Sequence, residues 1–148
     1  MTEPGKTDLS DIVGGFQAMV GYRIVRWERD LAEVEIDVDA QHHNRSGFVH
    51  GGVHATLLDS AAGIAGVYCP VPGNVVRAVT LSFSIQYIAA ARIGTLRAIG
   101  RRRGGGRSIF FAAAELFDAG GKLIATGEGT YRYIAGFEPP DGGPRGKG

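Results

Sequence analysis

Residues 53–67, VHATLLDSAAGIAGV, place the tightest constraint on how this chain folds. The run is too long and too Ala-rich for a strand and is apolar on every side, so it reads as a buried helix. Such a helix needs other elements wrapped around it, and the flanking sequence supplies strands. Leu31–Asp39 alternates, with Ala32, Val34, Ile36 and Val38 on one face and Glu33, Glu35, Asp37 and Asp39 on the other. Val79–Ala89 sets Val79, Leu81, Phe83, Ile85 and Tyr87 against Thr80, Ser82, Ser84 and Gln86. Gly94–Arg101 and Ser108–Phe117 are joined by the turn cluster Gly104-Gly105-Gly106, and Asp118-Ala119-Gly120-Gly121 leads into Lys122–Ile134. Hairpins make an antiparallel sheet, and the lone helix must lie against one of its faces, so the class is α+β. Ile12–Val20 adds a helical turn or two.

The 148 residues suit one domain. Its expected limits are 11–135, between a flexible polar tail over 1–10 and a flexible Pro/Gly-rich tail over 136–148. One Cys excludes an internal disulfide framework and fits a reducing, cytoplasmic setting. The N-terminal MTEPGKTDLSDIV has no apolar signal segment, and no apolar run approaches the roughly 20 residues that span a bilayer, so no membrane association is expected. The net charge of +1 conceals an asymmetry: residues 60–114 hold no Asp or Glu but carry Arg77, Arg92, Arg97, Arg101, Arg102, Arg103 and Arg107. That field favours an anionic partner; the near-balanced total argues against a dedicated nucleic-acid binder and leaves nucleotide and coenzyme phosphates as candidates.

Asp59 stands in the middle of the apolar helix, where a carboxylate is a poor helix former and costly to bury unpaired. Ala55, Ala62, Gly63 and Gly66 share its helical face, so the carboxylate borders either a cleft or a close helix contact. At the helix start, Gly51 and Gly52 offer main-chain N–H groups unobstructed by side chains. Unpaired donors and a partial positive charge at that end suit a carbonyl oxygen turning into an oxyanion. The alternatives are a paired structural Asp and glycines that merely allow a tight turn.

The pattern Asn44…Gly47…His50-Gly51-Gly52…Leu58-Asp59-Ser60-Ala61, followed by Thr80…Ile85-Gln86-Tyr87 and Gly127-Glu128-Gly129-Thr130-Tyr131, resembles the hotdog-fold acyl-CoA thioesterases of the phenylacetic-acid-degradation (PaaI-like) type. The resemblance runs over about residues 15–135. It implies a long helix wrapped by an antiparallel sheet, a homodimer or tetramer, and hydrolysis of an acyl-CoA substrate with no cofactor or metal. It further implies Asp59 as catalytic base or nucleophile and the Gly51 N–H polarising the thioester carbonyl. Asn44 and His50 would assist, Thr80 would position water, and Gly52 would help to bind substrate. Ala89-Ala90-Ala91 stands where relatives often carry Pro. A non-catalytic acyl-CoA-binding hotdog module would not need Asp59, and a hotdog hydratase or dehydratase would need a His/Asp or His/Glu pair that is not evident.

Other groups carry less. His50 and His54 have H-x-x-x-H spacing but lack the Glu and third ligand of a zinc site. Ser46 and Ser60 lack a G-x-S-x-G elbow, Cys69 beside Pro70 reads as a packed residue, and His42 and His43 read as loop residues. Arg101, Arg102, Arg103 and Arg107 surround a glycine turn that either grips the coenzyme's phosphates or is an ordinary solvated hairpin tip.

Overall fold

The computed structural model describes residues 14–146. A short helix α1 (Gly15–Val20) precedes strands β1 (Arg23–Glu28) and β2 (Leu31–Asp37); a 3₁₀ turn (Ala40–His42) and a loop then lead into helix α2 (Gly51–Ala65). Beyond it come β3 (Asn74–Val75), β4 (Ala78–Tyr87), β5 (Thr95–Gly105), β6 (Ile109–Phe117), β7 (Leu123–Tyr133) and β8 (Gly143–Pro144). Six strands form one sheet in the order β1-β2-β5-β6-β7-β4, with every neighbouring pair antiparallel. The α+β class and the single wrapped helix read from the sequence are both present. The part of the expected 1–10 tail and of Ile12–Val20 that precedes residue 14 lies outside the described residues.

Helix α2 lies across the sheet because both surfaces shed bulk where they meet. Leu57, Leu58, Ala61 and Ala62 are fully buried against Val34, Ile36, Leu96, Ala98 and Leu116. A Cβ at Gly100 would overlap the Ala61 carbonyl, and one at Gly66 would overlap the Phe110 ring. Strand side chains also grip the helix by its backbone. The Tyr133 hydroxyl donates to the Gly66 carbonyl at 3.0 Å and the Trp27 indole to the Ile64 carbonyl at 2.9 Å. At the other end the Tyr87 hydroxyl donates to the Gly51 carbonyl at 3.0 Å.

Four departures from the sequence reading bear on function. First, β1 was not legible as a strand. Second, β5 continues through Gly105, so Arg101, Arg102 and Arg103 sit within the strand rather than in a turn. Third, the stretch from 136, expected as a flexible tail, folds back. Gly143–Pro144 pairs with Asn74–Val75, the Asn74 amide donates to the Asp141 carbonyl at 2.8 Å, and Arg77 stacks over the Phe137 ring at 4.7 Å. Fourth, β4 is not a simple alternation. Thr80 pairs with Tyr131 and Ser82 with Thr130, so Leu81 is an extra residue in a β-bulge. With Leu81 outside the ladder the strict alternation breaks at that point, and Thr80 shares the helix side with Phe83.

Candidate active site

The carboxylate of Asp59 is half-buried and doubly held. The Thr80 hydroxyl donates to its Oδ1 at 2.9 Å and the Tyr131 hydroxyl to the same oxygen at 3.0 Å. The bulge brings Thr80 to this face, and Tyr131 is its partner across β4 and β7. Burial and the neighbouring Asp59 charge both push the Tyr131 phenol well above its ordinary range, so it stays a proton donor at neutral pH. No described donor reaches Oδ2. A carboxylate anchored through one oxygen and open through the other is fixed in aim yet able to accept a proton or attack a carbon. Thr80's proton thus goes to Asp59, and only its lone pairs are left to orient water.

At the start of α2, His50 is the N-cap and its Nδ1 accepts the Gly52 N–H at 2.8 Å. Gly52, expected to bind substrate, is therefore engaged inside the chain. Gly51 is the first helical residue, and no described acceptor takes its N–H, which lies at the positive end of the helix dipole. A Cβ at Gly51 would stand 3.3 Å from the Tyr87 ring, so a larger side chain would crowd that corner. Asn44 supports the approach to the helix: its Oδ1 accepts the Ser46 N–H at 2.9 Å and the Phe48 N–H at 3.2 Å, holding the loop that turns at Gly47 with φ 77°. Asn44 and His50 thus act visibly on the backbone that presents Gly51.

The arginines do not gather into one patch. Arg102 pairs with Ala112, a buried helix-side position, whereas Arg103 borders a shallow groove on the outer sheet face with Ser82, Ser84, Phe111 and Glu128. Arg101, next to Arg102 in the strand, is exposed, and Arg107 lies in the β5–β6 turn. Arg97 bonds Glu35 at 2.6 Å and approaches Glu33 at 3.6 Å, so acids from outside the arginine-rich span neutralise part of its field. Arg92 stacks over the Phe48 ring at 4.0 Å beside the loop that leads to Gly51.

Sequence reasoning missed three residues here: Tyr131, Tyr87 and the full significance of His54. Tyr131 stood within the Gly127–Tyr131 motif, but only cross-strand pairing with Thr80 reveals that its hydroxyl meets Asp59. His54 invited a metal reading through its spacing from His50. The structure instead buries it to 3% exposure, with neither ring nitrogen hydrogen-bonded.

Residues 46–125 match the family model described as thioesterase superfamily. Acyl-coenzyme A thioesterase 13 of Mus musculus is 36% identical over 98 residues, covering 65% of this chain and 68% of that protein. A 1,4-dihydroxy-2-naphthoyl-CoA hydrolase of Listeria monocytogenes is 27% identical over 110 residues, or 74% of this chain and 88% of the relative. The solved structure of a point mutant of phenylacetic acid degradation protein PaaI from Thermus thermophilus superposes with a TM-score of 0.71 at 25% identity, covering 82% of this chain and 100% of that one.

Proposed function

The chain belongs to the thioesterase superfamily and is a thioester hydrolase; on that premise, we propose that it cleaves acyl-CoA thioesters to a free acid and coenzyme A, with Asp59 as the reacting carboxylate. The observation that carries this reading is the anchoring of Asp59 Oδ1 by Thr80 and Tyr131, which leaves Oδ2 open. The Gly51 N–H binds the thioester oxygen as negative charge develops on it. Asp59 takes a proton from water, whose oxygen bonds to the carbonyl carbon. The C–S bond then breaks, and the proton passes to the departing thiolate. A binding module would have no use for a doubly oriented carboxylate, and no His stands within the described hydrogen bonds of Asp59 to form a hydratase pair.

One chain does not complete this site. Gly51 and Asp59 lie eight residues apart on α2, about 12 Å along the axis, and one carbonyl group cannot serve both across that span. The sheet edge offers the remedy. Strand β4 is an outer strand whose second edge has no partner among the described residues, with Val79 48%, Leu81 54% and Tyr87 55% exposed. An unprotected apolar edge invites another strand. In this reading two copies pair β4 to β4 about a twofold axis, and each Asp59 faces the Gly51 of the other subunit.

A panel of CoA thioesters assayed for thiol release tests the activity. Asp59→Asn keeps the shape and loses about 10²–10⁴-fold in kcat; near-parental turnover would sink the assignment. Leu81→Lys tests the shared site: monomers without activity are expected by light scattering and assay, whereas an active monomer would refute it.

A further inference from the structure

His54 is the least explained polar group in the described structure. It sits in the first turns of α2, three residues after Gly51, with an imidazole buried to 3% exposure and no hydrogen bond at Nδ1 or Nε2. A neutral imidazole carries one donor and one acceptor, and leaving both unmet in a core is costly. Desolvation holds the ring below its ordinary pKa, hence neutral. An apolar residue would serve packing better at this position.

Its surroundings connect it to the reacting corner. The ring stacks on Tyr87, with centroids 5.9 Å apart and planes at 29°. Tyr87 packs against Gly51 and donates to its carbonyl. His54 is therefore one aromatic ring away from the N–H assigned to the thioester oxygen, and Tyr87, half-exposed at the end of β4, is the only aromatic described against it. Along the helix axis His54 stands only about 4.5 Å beyond Gly51, the span of three residues.

Resting on the acyl-CoA reading above, we propose that His54 is a specificity-determining residue: its imidazole lines the acyl site and hydrogen-bonds a hydroxyl or carbonyl substituent on the acyl group. A site built to satisfy a substrate hydroxyl rejects the analogue lacking it, because the buried polar group is then left unpaired. The chain is thereby tuned to oxygenated acyl groups, with Tyr87 as the wall that rotates aside or packs on the substituent.

The test compares benzoyl-CoA with its 3-hydroxy and 4-hydroxy derivatives in the parent, His54→Leu and His54→Asn. The parent is expected to favour at least one hydroxylated thioester by about tenfold or more in kcat/KM. His54→Leu should erase that preference by losing activity on the hydroxylated ester while staying within about threefold on benzoyl-CoA, and His54→Asn should restore part of it. Equal losses on all three esters, or no preference in the parent, would overturn the inference. Titration calorimetry with the same esters carries the comparison if turnover is absent, so a failed hydrolase reading is told apart from a failed His54 reading. Thermal melting guards against a purely structural role. Because leucine removes two unmet polar atoms, Tm is expected to rise by a few degrees; a fall accompanied by dissociation of the oligomer would assign His54 to the subunit interface instead and refute the proposal.

Discussion

Two hydroxyls converge on a single carboxylate oxygen, and that geometry makes a quantitative claim about their coupling. Thr80→Ala removes the donor at 2.9 Å and Tyr131→Phe the donor at 3.0 Å. The phenylalanine ring retains the stack on Phe110, whose centroid lies 4.8 Å away, so the fold survives the change. A hydrogen bond to a charged group contributes about 1.5–3 kcal/mol. Either donor alone still fixes the carboxylate, so each single variant loses only part of that in aim. From the lower end of the range, we expect kcat to fall about threefold for the exposed Thr80 and about tenfold for the buried Tyr131. With both gone the carboxylate turns freely, and the loss should exceed the roughly 30-fold product and approach the 10²-fold or greater loss of Asp59→Asn. The four proteins are compared by thiol-release kinetics, with melting curves to confirm folding. A double variant that matches the product of the singles within a factor of two would show that the hydroxyls do not act through one oxygen.

Gly100→Ala is expected to destabilise by about 3 kcal/mol, lowering Tm by roughly 10 °C, because the new methyl meets the Ala61 backbone; Gly104→Ala, with open space around it, is the control, and equal melting of the two would refute the close-approach argument. Stability should also depend on pH through His54. Its folded pKa is depressed, so the unfolded chain binds the extra proton, and stability is full above about pH 6.5 and declines below it by up to about 1.4 kcal/mol per unit. The advantage of His54→Leu over the parent in denaturant titrations should therefore grow from pH 7 to pH 5, and a constant difference would contradict the burial. Separating Arg102→Ala from Arg103→Ala should split their effects on KM for the CoA ester, since the two lie on opposite sides of β5; identical shifts would argue that one patch holds the coenzyme.

Much of the scaffold was written in short-range pattern. Helix α2 announces itself because no period-two arrangement accommodates VHATLLDSAAGIAGV, and β2 because Glu33, Glu35 and Asp37 alternate with apolar residues. Strand β1 is silent because RIVRWE has no alternation: Arg23 and Arg26 pair with Glu35, Asp37, Glu28 and Glu33 on the outer face, and the register slips between Ile24 and Arg26. Asp59 was legible as an anomaly within its own helix. Its donors were harder, since Tyr131 is brought to it only by strand pairing, and Thr80 reads as outward-facing on strict alternation. The arginines misled for the opposite reason. Closeness in sequence suggested one patch, but a strand sends neighbours to opposite faces.

The extra residue at Leu81 has an evolutionary meaning. From Phe83 onward the inward-facing residues of β4 keep their places whether or not position 81 exists. Loss of that single codon would leave Thr80 and Ser82 on consecutive pairs with Tyr131 and Thr130, so the hydrophobic frame and the side on which Thr80 stands would both be kept. Scaffold and chemistry thus tolerate the same change. A lineage can lose or gain one residue at position 81 with Phe83 still in the core and Thr80 still opposite Tyr131, so the length of β4 is freer to vary there than the identity of the residues on either side.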